Sequence, residues 1–231
     1  MKVGIMQPYF LPYIGYFQLL NAVDKYVIYD NIQYTKKGWI NRNRILQNGK
    51  DAMISIPIEK DSDYLDIKDR FVSKGFDRKK LINQIRESYR KASHFDEVMP
   101  LVESIINYEE DNLFLYIYNS VIKVCEYIGI NTEIIISSTL DIDHTLKGQD
   151  KVLAICEKLG ATDYYNAIGG QELYNTRDFK GENIDLHFVS TNPIEYKQFK
   201  NEFVPWLSIV DVMMFNSLPE IHIILGEYKM I

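Results

Sequence analysis

A chain of 231 residues, 46% apolar and 25% charged, is long enough to bury a substantial core as one large domain or as a main domain with a small appendage. Its net charge of −6 argues against a surface that binds nucleic acid through bulk positive charge, since phosphate neutralisation needs a basic face. The start, MKVGIMQPYF, has one lysine and an apolar run too short for a secretory signal. No later stretch stays apolar for the length of a membrane span, so no membrane insertion and a cytoplasmic location are expected.

KVGIMQ is short and β-prone and reads as a buried parallel strand ending near Gln7. QPYFLPYIGYF follows, with two prolines, a glycine and five aromatics where a strand hands over to a helix. GYFQLLNAV then places Phe17, Leu20 and Val23 on one helical face, and DKYVIYDNIQ reads as a second strand. TKKGWINRNRILQNGK is basic and irregular at first. DAMISIPIE is the next strand, halted by Pro57, and an acidic loop around EKDSDYLD comes after it.

Asp77 is an N-cap for a helix through Leu81, Ile85 and Tyr89, and one or two further helices run between Pro100 and the C-terminal stop Gly129. The β-branched run Glu133–Ile136 is a strand ending in Ser137, Ser138 and Thr139. A helix from about Gln149 to Leu159 stops at Gly160. TDYYNAIGGQELY is strand-like and then glycine-rich, IDLHFVS is another strand, and a late helix starts at Ser208 with Asp211 as its capping-box partner. Strands alternating with helices predict an α/β fold with a mainly parallel, Rossmann-like sheet. The whole chain, 1–231, reads as one such domain, with a helical insertion or subdomain at about 76–130. Cys125 and Cys156 lack CxxC or Cys/His spacing and read as buried reduced thiols.

In open α/β sheets, ligands sit beyond the carboxyl ends of the strands, where loops lead into helix N-termini. The opening stretch holds that position. Pro8 and Pro12 stiffen it, and Gly15 removes a side chain where a ligand or another segment approaches closely. Gln7, Tyr13, Gly15 and Tyr16 are therefore candidate binding residues, the alternative being an aromatic helix start packed on the sheet.

A second candidate is KKGWINRNR, where Lys36, Lys37, Arg42 and Arg44 surround Trp39, Asn41 and Asn43. Guanidinium forks grip phosphate, amides select hydroxyls and an indole stacks on a ring, which suits a nucleotide sugar or ATP; a solvated basic loop is the plainer reading. A third is ISSTLDIDHTLKGQD, where Ser137, Ser138 and Thr139 can bind phosphate, Lys147, Gly148, Gln149 and Asp150 can line a helix N-terminus, and His144 is the candidate general base; hydroxyls that only end a strand and begin a turn are the plainer reading. No Ser/His/Asp order and no metal-ligand spacing stands out.

The spacing of Phe10, Pro12 and Gly15 is similar to the F-x-P-x-H-x-G-H loop of class I nucleotidyltransferases and aminoacyl-tRNA synthetases, with Tyr13 and Tyr16 in place of both histidines. Phenols near pKa 10 do not supply imidazole chemistry at neutral pH. Taken together, MQPYFLPYIGYFQLL, YDNIQYTKKGWINRNRI, LKGQDKVLAICEKLGATDYYN with the following GG, and FVPWLSIVDVMMFN resemble the WbqC-like family over nearly the whole chain.

That resemblance implies a bacterial protein of O-antigen or other surface-polysaccharide gene clusters. It implies a transferase or ligase that attaches an acyl or aminoacyl group, for instance glycyl, to the amine of a nucleotide-linked amino sugar. The partner set is then that sugar and an acyl donor. ATP is the expected cofactor where the acid is activated on the protein, and a carrier thioester or charged tRNA is the alternative donor. A non-catalytic nucleotide-sugar binding or scaffolding protein and a nucleotidyltransferase are the competing expectations.

Overall fold

β1 (Lys2–Met6) alternates its side chains between two apolar layers, so it lies inside a sheet and not at its edge. In the computed structural model, which describes residues 1–231, it pairs in parallel with β2 (Lys25–Ile28) on one side and β6 (Asp163–Ala167) on the other. β5 (Glu133–Ile136) extends the sheet beyond β2. β7 (Asp185–Thr191) extends it beyond β6, and the short β8 (Tyr228–Met230) closes that edge antiparallel. The order β5-β2-β1-β6-β7-β8 places a topological switch between β1 and β6, because the chain leaves β1 in one direction across the sheet and later returns to build in the other. The expected α/β class with a mainly parallel sheet is what the chain adopts.

Helices cover both faces. α5 (Gly148–Leu159) and α6 (Thr176–Gly181) close a small core on one side, where Val152, Ile155 and Phe179 meet Val3, Ile5 and Val27. On the other side α1 (Ile14–Asn21), α4 (Leu113–Ile128), α7 (Ile209–Phe215) and α8 (Leu218–Gly226) share one much larger core. α2 (Arg78–Tyr89) and α3 (Phe95–Ile106), which precede α4 and β5 in the chain, belong to that same core. Asp77 caps α2 by accepting from Lys80 N at 2.8 Å. Gly129 and Gly160 end α4 and α5 in the left-handed conformation, at φ +74 and +66, as their positions in the sequence predict.

Two local expectations change. The basic stretch read as irregular at first turns to strand at Arg42: β3 (Arg42–Gln47) pairs with the expected strand, β4 (Lys50–Ser55), in a hairpin through Asn48 and Gly49, at φ +52 and +74. Asn-Gly is the pair that a two-residue turn with both φ positive prefers. Asp211 is not a capping-box partner. The Ser208 N–H that it would have accepted from donates instead to Arg44 O at 2.8 Å. α7 plunges into the core at once, which leaves the Asp211 carboxylate facing Tyr89 of α2.

Candidate functional site

At the switch point a cavity of about 430 Å³ opens beyond the strand ends. Met6 and Ala167, the last residues of β1 and β6, form its floor together with Val189, Ser190 and Thr191 of β7. Tyr9, Pro12, Tyr13, Gly15 and Tyr16 form one wall. Trp39, Asn43 and Arg44 form another, and Ile168 and Trp206 complete the rim.

The opening loop is held by its own carbonyls. Asn43 Nδ2 donates to Phe10 O at 3.2 Å and Leu11 O at 3.0 Å, Ser208 Oγ donates to Leu11 O at 2.7 Å, and Ile209 N donates to Pro12 O at 2.8 Å. Phe10 N donates to Ile40 O at 2.9 Å. These bonds hold Leu11 at φ +43, a conformation that costs a branched residue energy and persists only where its surroundings over-determine it. The loop is thus a fixed lip clamped between β3 and the start of α7.

Gly15 is required by close approach: a Cβ there would lie 2.7 Å from Thr191 Oγ1 and 2.8 Å from a ring carbon of Tyr13. The Thr191 hydroxyl donates to Gln18 Oε1 at 2.6 Å, and the buried Gln18 amide donates to Ile224 O and Glu227 O, which ties α1 to β7 and α8. Tyr13 is half-buried, its ring 5.3 Å from that of Trp206, and burial raises its phenol pKa above 10. Tyr16 differs. It is 5% exposed and lends the cavity a ring, while its hydroxyl is buried in the core beside Tyr26, and burial drives its pKa far above the ordinary value. Gln7 lies outside the lining and accepts from Tyr9 OH at 3.2 Å.

Of the basic stretch, Trp39, Asn43 and Arg44 reach the cavity. The Arg44 guanidinium lies 5.3 Å from the centre of the Trp39 ring, donates to Trp206 O at 3.2 Å and sits 3.4 Å from Asp51. Its Nε is buried without a partner. Arg42 folds back on its own turn, donating to Gly38 O at 2.9 Å and Lys37 O at 2.6 Å. Asn41 bridges Ile56 O and Tyr34 OH, and Lys36 pairs with exposed Asp63. Lys37 is exposed away from the lining.

The third group gathers elsewhere, at the carboxyl ends of β2 and β5. Asn31 Oδ1 accepts from Ser137 Oγ at 2.9 Å and from Lys151 Nζ at 3.0 Å, and Asn31 O accepts from Lys151 Nζ at 3.0 Å. Asn31 Nδ2 donates to His144 Nδ1 at 3.0 Å, so the neutral imidazole carries its proton on Nε2, which donates to Leu140 O at 2.9 Å. Asp30 accepts from Ser138 N and Ser138 Oγ, and Thr139 Oγ1 donates to Ile136 O. Gln149 joins α5 to α6 by bonding Asp178 and Asn175 N. Lys151 is 5% exposed, and burial lowers its pKa. None of Ser137, Ser138, Thr139, His144 or Gln149 lines the cavity.

Sequence reasoning missed Trp206, Tyr9, Ser190 and Thr191. Trp206 had a signal, being one of two tryptophans in the chain and following Pro205. The β7 residues had none, since only the strand order brings them beside the lip. Behind the rim, Asp211 accepts from Tyr89 OH at 2.8 Å, Tyr196 OH at 2.7 Å and Gln198 Nε2 at 2.6 Å. Burial raises its carboxyl pKa, and these bonds offset part of the rise. Gln198 also clasps both backbone groups of Val204, which anchors the segment that presents Trp206.

Arg44 is the one formally charged residue among those that line the cavity. Beside it α1 begins without a side-chain cap, and the first-turn N–H groups of Ile14 and Gly15 have no intrahelical acceptor. A guanidinium, a helix N-terminus and surrounding aromatic rings favour an anion attached to a flat ring.

The profile of the WbqC-like protein family matches residues 7–223, and the chain belongs to that family. A curated relative described as the uncharacterized protein Rv1507c of Mycobacterium tuberculosis is 29% identical over 225 residues, covering 93% of each chain. No solved structure matches the chain.

Proposed function

We propose that this member of the WbqC-like family is a transferase or ligase of surface-polysaccharide biosynthesis that attaches an acyl or aminoacyl group to the amine of a nucleotide-linked amino sugar. The observation that carries the reading is the cavity at the β1/β6 switch point, where sheets of this order receive nucleotides, with Arg44 and the uncapped start of α1 converging on it. The lip, β3 and the Trp206 segment are hydrogen-bonded to one another, so the hollow is preformed.

In the reaction the sugar amine attacks the carbonyl carbon of an activated acyl group. A C–N bond forms, the C–O or C–S bond to the donor breaks, the leaving group takes the electron pair, and the nitrogen sheds one proton to that leaving group or to water. Arg44 and the Gly15 N–H group would hold phosphate, and the rings of Tyr13, Trp39 and Trp206 would orient the nucleotide and exclude water. The same groups fit ATP: the Arg44 guanidinium is the charged group of the lining, and the uncapped Gly15 amide is a donor in want of an acceptor. ATP, when bound, supplies activation of the acyl carboxylate. Tyr13 borders the cavity beside Thr191, but a pKa raised above 10 makes it a hydrogen-bond donor at neutral pH and not a base.

A second reading is favoured by a specific observation: no carboxylate or imidazole is among the lining residues, as a protein that binds a nucleotide sugar without transforming it would have. The two separate in one assay. The protein is incubated with a nucleotide-linked amino sugar and, in turn, glycine plus ATP, an acyl thioester and charged tRNA, and the sugar is weighed by mass spectrometry. The transferase reading expects N-acylated sugar with one donor, accompanied by AMP or ADP release if that donor is the free acid. Bound sugar recovered unmodified with every donor would establish the binding role in its place.

A further inference from the structure

Both tryptophans of the chain stand on the cavity rim, and they are used differently. The Trp39 ring, 40% exposed, carries the Arg44 guanidinium over one face and so serves to hold the cation. Trp206 has the Tyr13 ring as its aromatic partner, tilted at 50°, and is 59% exposed. Its backbone lies at φ +62, a region costly for a bulky side chain, and so exposed an indole regains little of that cost through burial. The segment is held there by other bonds: Trp206 O accepts from Arg44, Ser208 N donates to Arg44 O, and Gln198 clasps Val204 while bonding Asp211. The result is an exposed indole fixed beside the Arg44 guanidinium on the cavity lining. A planar base carrying a phosphate fits that pair of features, since bases stack on aromatic faces and guanidinium forks grip phosphate oxygens.

We infer that Trp206 is the base platform of the cavity, and that the ligand enters as a nucleoside 5′-phosphate with its base on the open face of Trp206 and its first phosphate on Arg44 and the α1 amides. The inference rests on the nucleotide reading above and deepens it by assigning which end of the substrate lies where. Arg44 is the single cation of the lining and already faces Asp51 at 3.4 Å, so it has charge for one phosphate at most and a second adds little.

The tryptophans make this measurable. Trp39→Phe keeps a ring under Arg44 and leaves Trp206 as the sole indole. In that variant UMP or AMP is expected to quench the emission, binding about tenfold or more tighter than the matching nucleoside. Inorganic phosphate is expected to leave the emission unchanged. Trp206→Gly, which suits a positive φ, is expected to keep or raise Tm and to weaken UMP binding, measured by calorimetry, about tenfold or more. Trp206→Phe retains a stacking face and is expected to bind within about threefold of wild type. Equal UMP affinity in wild type and Trp206→Gly would overturn the platform, and continued acylation of UDP-glucosamine by that variant would show that the transferase reading survives the loss. Quenching by UMP without any acylated product would support the platform while the transferase reading fails. Absence of both quenching and binding heat with UMP and with AMP would overturn the inference.

Discussion

Two polar clusters stand at the carboxyl end of the same sheet, and they differ in what their donors lack. Around Asn31 the accounts close: the side-chain amide, Ser137, His144 and Lys151 are bonded to one another or to backbone. At the β1/β6 switch the Arg44 guanidinium borders a cavity, and so does Gly15, whose amide at the uncapped start of α1 has no acceptor in the chain. A closed buried network holds elements together, because removing one member leaves the others desolvated and unpaired. An open set of donors beside a hollow has its acceptor missing from the chain itself. Proximity to strand ends, which both clusters share, is therefore weaker evidence of ligand binding than unsatisfied hydrogen-bonding capacity.

That contrast can be broken most forcefully at Asn31. Asn31→Ala strands Lys151, Ser137 and His144 together, and it is expected to lower stability by about 3 kcal/mol in urea denaturation while leaving nucleotide affinity unchanged. A loss of affinity with intact stability would move the binding site to this cluster. Arg44→Ala should behave oppositely, weakening nucleotide binding by about 2 kcal/mol with a stability change under about 1 kcal/mol. Equal thermal shifts by ligand in wild type and Arg44→Ala would remove the guanidinium from the site.

Gly15→Ala sharpens the picture of the lip. Its Cβ must push Thr191 or Tyr13 aside, at a cost of about 1–3 kcal/mol, and it should reduce affinity along with stability because Tyr13 moves with it. His144→Ala is expected to leave any transfer rate and its pH profile within about twofold of wild type, since both ring nitrogens already hold structural bonds. A large fall in rate with ligand affinity intact would restore it as a general base.

The smallest effect concerns pH. Burial raises the folded pKa of Asp211 above its ordinary 3.8, so the folded state holds that proton more tightly than the unfolded one. The associated stability is fully present below the unfolded value and is lost as pH rises through the folded one. Wild type measured against Asp211→Asn should therefore decline in relative stability as pH climbs from about 4, and then level off. A relative stability that increases over that range would mean that the three hydrogen bonds outweigh burial.

The alternation of strand and helix patterns and the Asp77, Gly129 and Gly160 helix signals were all legible in sequence, because each depends on neighbours a few residues away. The hairpin at Asn48 and Gly49 was equally local but was masked by the charge around it. The candidate site was legible in part. The opening stretch and the basic stretch were both singled out, and they do meet. Which of their residues face the cavity depended on partners far away in the chain.

Arg42 and Arg44 show the limit most plainly. They are two apart on one strand, so strand periodicity puts them on the same face and cannot rank them. Carbonyls of the preceding turn capture Arg42, whereas Trp39 and the distant Trp206 segment draw Arg44 to the cavity. The amino-acid order by itself determined the elements and a stiff, aromatic first loop, since torsional preference and apolar period act over a few residues. The tertiary structure alone decided which cation, which tyrosine hydroxyl and which tryptophan face are presented, because hydrogen-bond satisfaction is settled among segments that only the folded sheet brings together.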